Sequence, residues 1–402
     1  MMKKLLLSTM MGMMATPAFA QNTTVSDEHK PNEQTLACLE APTRDCAFTA
    51  ALQTVIAEEL GVERAKVLVG VATSMIETGQ KEQAVQTLML ALDEARTVKI
   101  TFVTQEKIKE IAPLLARAGD VSGALALVGE IQNEGIKDMV LAEVADEAIE
   151  GGALADARVA LGEMQNRTRA FWRELSLLAR ASDAALATVN LDELEADIRA
   201  LDRTDQRYRG LVQLAVIADR KGDAAARDAY IAEADELFSG VVGIAIRADV
   251  TAQRARAMHD AGLDEAMVRA SYDLAVLHGD RLRDGALLPD FARKLGPVEA
   301  ALGNLDTALA RMEYFRDVDA KAAYLSSLRV EGNYDRVASR MREVLSEIDT
   351  LEGAYERDIV RLKLLDGALV NENISLAGNI VRAMEDDDNQ ALALARMAPL
   401  LN

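Results

Sequence analysis

The sequence predicts an all-α fold of stacked antiparallel helix hairpins, on three observations. In Arg64–Ala95 apolar residues recur at Val67, Leu68, Val71, Ala72 and Met75, and again at Ala84, Leu88, Ala91 and Leu92, with Gly79 between the runs. That spacing is two amphipathic helices joined by a tight turn; glycine ends the first because it accepts the left-handed conformation of a helix C-terminus. Glycines that follow a helical run then recur at Gly119, Gly152, Gly222, Gly262, Gly303 and Gly332. Finally, 50% of the chain is hydrophobic but only 4% is aromatic, so the core is made of Ala, Leu, Val, Ile and Met.

Taken in order, residues 1–20 read as a cleavable signal peptide. Lys3 and Lys4 precede a short apolar run, Leu5–Ala15, and Ala18-Phe19-Ala20 is an A-x-A cleavage site. The run is too short to span a bilayer, and no later segment is long and apolar enough to do so. The mature chain is expected to be soluble and exported, to a bacterial periplasm first and the medium second, with no membrane insertion. Losing two lysines takes its formal charge from −20 to −22. So acidic a surface repels phosphate backbones and anionic lipid, which sets nucleic acid aside as a partner.

Residues 21–32 are polar and read as a disordered linker. Residues 33–61 form a first hairpin: a short helix near Glu33–Glu40, a turn at Ala41-Pro42-Thr43, and a longer helix to Gly61. The only two cysteines, Cys38 and Cys46, flank that turn. An even, minimal count in an exported chain reads as one disulfide. It staples a capping hairpin with no neighbour on its outer side, and is worth about 2.6 kcal/mol on the chain-entropy account.

Residues 62–402 are the repeat domain. Seven residues before the turn glycines stand Ala72, Ala112, Ala145, Ala215 and Ala255, then Gly296 and Leu325; five after them stand Ala84, Ala124, Ala157, Arg227, Met267, Ala308 and Val337. Small residues at fixed offsets mean helices that cross closely at the same point of each unit. Between Gly152 and Gly222 one unit lacks its glycine, and Asn190 is the expected stand-in. A further turn falls at Asn371–Asn373, making about nine hairpins after the cap. Pro113 is expected to kink its helix. Gly296-Pro297 is expected to break another, with Pro297 opening a second piece. Asp280–Leu288 reads as an irregular loop and a candidate domain boundary.

This pattern resembles the tetratricopeptide repeat family over roughly Arg64–Ala395. The resemblance is clearest in Leu68…Val71-Ala72…Met75…Gly79…Ala84…Leu88…Ala91, and recurs in Ile108…Ile111-Ala112…Leu115…Gly119…Ala124…Val128 and in Leu211…Leu214-Ala215…Ala218…Gly222. It implies a right-handed superhelical solenoid whose first helices line a concave groove. Carried over by position, the candidate partner-binding residues are Lys109, Arg117, Arg209, Arg220, Arg256 and His259, with Lys66, Val69 and Thr73 in the first unit. Glu77, Asp146, Glu150, Asp219 and Asp260 share the face. Solvent-exposed cations there would receive an acidic segment of a protein or peptide partner.

Nothing in the sequence points to catalysis, a metal or another cofactor. His29, His259 and His278 lack partners at metal-ligand spacing. No nucleophile-elbow, zinc-protease or phosphate-loop pattern occurs. Glu385-Asp386-Asp387-Asp388 lacks the alternation of a calcium loop and reads as a solvated loop; Asp192, Glu193, Glu195 and Asp197 read as an exposed helix face. Trp172, the sole tryptophan, reads as packing at the irregular unit. The expected function is a non-catalytic periplasmic protein–protein interaction scaffold. The alternatives are a polysaccharide-active enzyme on an α/α toroid, which would need aromatic sugar platforms, and a self-associating structural envelope protein.

Overall fold

The computed structural model describes residues 33–57, 61–330, 332 and 334–401; the expected signal peptide and linker lie outside them. Among the described residues there are helices and no strands, and no helix is long and apolar enough to cross a membrane. The first hairpin is α1 (Glu33–Glu40) and α2 (Arg44–Ala57). Nine more follow: α3 (Gly61–Glu77) with α4 (Lys81–Thr97), α5 (Thr101–Ala118) with α6 (Val121–Val128), α7 (Glu134–Glu150) with α8 (Leu154–Glu163), then α9 (Arg167–Leu178) with the short α10 (Asp183–Leu186) and α11 (Leu191–Arg199). Next come α12 (Thr204–Arg220) with α13 (Ala224–Phe238), α14 (Ile244–Asp260) with α15 (Glu265–Gly279), α16 (Leu288–Ala301) with α17 (Leu305–Ala310), α18 (Val318–Ser326) with α19 (Tyr334–Ile348), and α20 (Ala354–Val370) with α21 (Ile374–Arg382). A last helix, α22 (Asp387–Met397), stands alone. The protein is thus a helical repeat protein.

All seven turn glycines have φ between 71° and 100°. A Cβ at any of them would meet nothing within 4 Å, so backbone conformation and not space selects glycine there. Glu372 takes the same left-handed conformation, at φ 54°, in the turn expected at Asn371–Asn373. Asn190 does not substitute for a glycine: its φ is −88° and its side chain accepts from Asp192 N, which caps α11. The irregular unit instead splits its second arm into α10 and α11, each with its own N-cap, Ser182 and Asn190. The alanines seven before and five after the turns are buried throughout. Gly296 departs from that alanine pattern because the Tyr324 ring lies where its Cβ would be.

One expected break in a helix does not occur: α16 runs through Pro297. α5 likewise continues through Pro113. A proline disfavours helix at the preceding residue by pressing on its Cβ; Gly296 has none. Asp280–Leu288 is an irregular connection but no boundary. The chain divides instead into two compact units, one of the described residues up to Ile100 together with those from Leu351 on, the other Thr101–Thr350.

In the first unit Cys38 and Cys46 form a disulfide. The hairpin it joins is not an open end. α22 packs on α2 and α3, burying its residues from Asp388 to Ala395. Ser74 Oγ donates to Ala395 O, Arg44 to Leu401 O at 3.4 Å, and Arg382 to Leu39 O at 2.9 Å. Gly70 on α3 makes room for Leu392. The acidic run before α22 is structural as well. Glu385 accepts from Arg357 and Arg361, and Asp386 caps α22 through Asn389 N at 2.9 Å, where a carboxylate also favours the helix N-terminus.

In the second unit the first helices pack on one another in sequence: α5 on α7, then α9, α12, α14 and α16. Ala252, Ala255, Met258 and Val268 join Leu295 and Val298 in its core. Two ionic groups are sunk into this layer. Arg311 makes a two-pronged bond to the fully buried Glu299, both arms 2.6 Å, and Arg254 reaches Tyr208, Ser271 and Asp235.

Candidate binding face

The turn glycines supply a ruler for the first helices of the second unit. Nine residues before Gly152, Gly222, Gly262 and Gly303 stand Glu143, Gln213, Gln253 and Lys294; thirteen before them stand Met139, Arg209, Asp249 and Asp290. In α9, Trp172 is nine residues before Ala181, which precedes the N-cap Ser182 as Gly222 precedes the N-cap Asp223. Residues nine and thirteen back are one helical turn apart and share a face.

That face holds three hollows. The first, about 530 Å³, lies where α7 and α9 meet and is lined by Met139, Ala142, Glu143, Arg169, Trp172 and Ser176 among others. The second, about 350 Å³, is lined by Trp172, Arg203, Gln206, Arg209, Gln213 and Gln253. The third, also about 350 Å³, includes Ile246, Asp249, Gln253, Leu287, Phe291 and Lys294. Trp172 is shared by the first two and Gln253 by the last two. Trp172 is therefore a half-exposed wall of the face, edge-on to Phe171 at 5.4 Å, and not a core residue.

Ion pairs lace the face together across successive first helices. Asp249 on α14 accepts from Arg209 on α12 at 2.6 Å and from Lys294 on α16 at 2.5 Å. Asp146 on α7 accepts from Arg173 at 2.7 Å and Arg180 at 2.9 Å. Arg117 on α5 approaches Glu147 on α7 to 3.6 Å. Burial raises the carboxyls of Glu143, Asp146 and Glu147 above the usual range, outweighing the arginines beside them.

The six residues singled out from the sequence fall into this network differently than expected. Arg209 lines the second hollow. Lys109 is bonded to Glu106 on its own helix at 2.7 Å. Arg220 donates to Ala179 O and Asp183, each at 3.0 Å. Arg256 and His259 share Asp260, at 2.6 Å and 3.0 Å. Arg117, Arg220 and Arg256 are half-buried and paired, not freely solvated, because in so acidic a chain each inner cation finds a carboxylate one turn or one repeat away. Lys66 and Thr73 belong to the other unit, where Lys66 lies over the Tyr355 ring at 5.4 Å and Thr73 bonds Val69 O.

The sequence reading passed over Gln206, Gln213, Gln253 and Met139. Extending the glycine ruler to nine and thirteen residues would have found all but Gln206. Among the described residues several buried side-chain atoms around this face, Arg173 Nε, Arg209 Nε and Gln213 Oε1 among them, make no hydrogen bond. Among the described residues no three His, Cys, Asp or Glu gather as they would around a metal ion.

No protein-family model matches the chain, and no curated protein matches it in sequence. A solved structure that it resembles is described as a "Circular tandem repeat protein with novel repeat topology and enhanced subunit contact surfaces". The match has 15% identity and a TM-score of 0.20, covering 91% of this chain and 86% of that one, and at that TM-score it carries no argument.

Proposed function

We propose that the protein is a non-catalytic, exported binding scaffold, working in the periplasm, whose first-helix face in residues 101–350 holds a segment of a partner protein. The observation that supports this is the run of three hollows along consecutive first helices, joined through Trp172 and Gln253. A segment laid across the stack would meet each in turn, as in other hairpin-repeat proteins whose stacked units make extended binding surfaces. The repeats read as tetratricopeptide-like on their glycine and alanine spacing. Export is supported by the signal-like N-terminus and by the disulfide, a bond of oxidising compartments.

The test is site-specific photo-crosslinking in the native host. A photoreactive residue replaces Arg169, at the rim of the first hollow, or Asp228, exposed on the second helix α13. A discrete protein adduct from position 169 and none from 228 is expected. Adducts from 228 alone, or from neither, would overturn the assignment of this face.

A further inference from the structure

Resting on that reading, we infer that the first hollow receives a partner segment of both signs: one apolar side chain against Met139 and Trp172, bracketed by a basic residue at Glu143 and an acidic residue at Arg169.

Charge singles this hollow out. In the second and third hollows every charged group is matched within the protein: Arg203 by Asp205 at 3.0 Å, Arg209 by Asp249 at 2.6 Å, and Lys294 by Asp249 and Asp290 at 2.5 Å each. In the first, Arg173 is likewise matched, by Asp146 at 2.7 Å. Glu143 on α7 and Arg169 on α9 are not. Among the described residues the Glu143 carboxylate and the Arg169 guanidinium make no ion pair or hydrogen bond, with each other or with any other group. The charge of Arg173 acts on Glu143, but its guanidinium is taken by Asp146. All the groups concerned are within reach of a docked chain: Arg169 is exposed, Glu143 and Trp172 are half-buried, and Met139 is 40% exposed.

An occupant of this hollow meets two unmatched charges of opposite sign, one on each helix. A neutral segment, or a neutral sugar, would take both out of water and offer neither a counter-charge, which is costly. An acidic segment would satisfy Arg169 and be repelled by Glu143; a basic one would do the reverse. A segment that carries both signs satisfies both. A carboxylate can meet the Arg169 guanidinium in a two-pronged bond. Burial raises the Glu143 carboxyl, and a lysine or arginine brought beside it supplies the opposite charge that favours its ionised form. Between the two charges the lining is apolar, from Met139, Ala142 and Trp172. An aliphatic or aromatic side chain laid there removes apolar surface from water, and tryptophan is the residue type that most often anchors such contacts.

A displayed library of random dodecapeptides, selected on the disulfide-bonded protein, supplies the probe; a parallel arm applies a bacterial oligosaccharide array. Selected peptides are expected to carry an apolar residue bracketed by a basic and an acidic one. By fluorescence anisotropy, one of them should bind Trp172→Ala about thirtyfold more weakly. Glu143→Gln should weaken it about fivefold and the more exposed Arg169→Gln about threefold. Moving from low to moderate salt should weaken it about threefold. Charge exchange gives the sharper readout. Glu143→Lys should lose the peptide and regain one whose basic residue is replaced by glutamate; Arg169→Glu should regain one whose acidic residue is replaced by lysine. Unchanged helical circular dichroism of the variants excludes misfolding as the cause.

Selected peptides with charges of one sign, or with none, would overturn the inference, as would oligosaccharides retained with no peptide enriched, or no enrichment in either arm. If Trp172→Ala weakens binding while Glu143→Gln and Arg169→Gln leave it unchanged, or if the exchanged peptides fail to recover it, the two-charge reading fails and the binding face stands. If selected peptides bind all three variants like wild type, the face itself is wrong.

Discussion

Replacing Asp358 by alanine tests how one hairpin is tied to the next. Asp358 lies on α20 and is wholly buried. Its carboxylate accepts the main-chain N–H of Glu385 at 3.0 Å and of Asp386 at 2.9 Å, just before α22, and a bond from the buried Arg361 at 2.8 Å. Alanine leaves two main-chain donors without a partner, at a cost of about 1 kcal/mol or more each, and removes a charged bond worth about 1.5–3 kcal/mol. The total is about 4 kcal/mol.

An internal comparison exists in the other unit. Asp138 on α7 accepts from Gln165 N and Asn166 N, both at 2.8 Å, just before α9. Both aspartates stand fourteen residues before a left-handed residue, Gly152 or Glu372, so the same device occurs at the same register of two hairpins. Asp138 has no arginine bonded to it among the described residues, and Asp138→Ala should cost about 2 kcal/mol. Repeat arrays often unfold without two-state cooperativity, so the assay is amide hydrogen exchange read by peptide. Asp358→Ala should raise exchange first in residues 383–397, and Asp138→Ala first in 163–175. Equal, chain-wide acceleration, or a loss below ~1 kcal/mol for Asp358→Ala, would refute the reasoning.

Three further outcomes follow from the same contacts. Hydrogen bonds from Arg357 and Arg361 hold the Glu385 carboxyl at about 2, below the usual 4.5. A depressed acid stabilises the folded state above its ordinary value and loses that contribution as pH falls from about 4.5 through about 2. Exchange in residues 383–397 should therefore rise with acid across that window, and Glu385→Gln should flatten the dependence. Thiol titration of denatured, unreduced protein should find no free thiol. Cys38→Ser with Cys46→Ser should destabilise residues 33–57 by up to about 2.6 kcal/mol and leave 101–350 unchanged by hydrogen exchange. Gly296→Ala should cost about 1–3 kcal/mol by denaturant titration through overpacking. Its methyl would meet the Tyr324 ring, which is pinned by a 2.6 Å bond to Ala308 O; at an open helical site the same change is stabilising.

The hairpin stack was legible because its signals are local. A left-handed turn needs glycine whatever packs around it, and Ala72 or Ala215 must be small where two helices cross. The helix of Leu288–Ala301 was misread because the rule for proline was applied without the exception that a preceding glycine makes. The binding face was legible only in part. Arg209 could be placed by counting, and the Arg256–Asp260 pair is an i,i+4 spacing that the sequence carries; that Arg220 is consumed by Asp183 depends on which carboxylate folds beside it, and no spacing reveals that. Trp172 was assigned to packing because the irregular unit carries no glycine to count from. The seating of α22 on α2 and α3 joins residues more than three hundred positions apart, such as Ser74 and Ala395, and no short-range pattern encodes it.

The central claim is that the first helices of residues 101–350 form the binding face. Hydrogen exchange of the protein with and without a saturating peptide, selected on it from a random displayed library, tests it most directly. The account predicts added protection confined to the first helices α7, α9, α12, α14 and α16, centred on the segments that line the three hollows. Protection that falls instead on the second helices α8 and α13, or on residues outside 101–350, would contradict it.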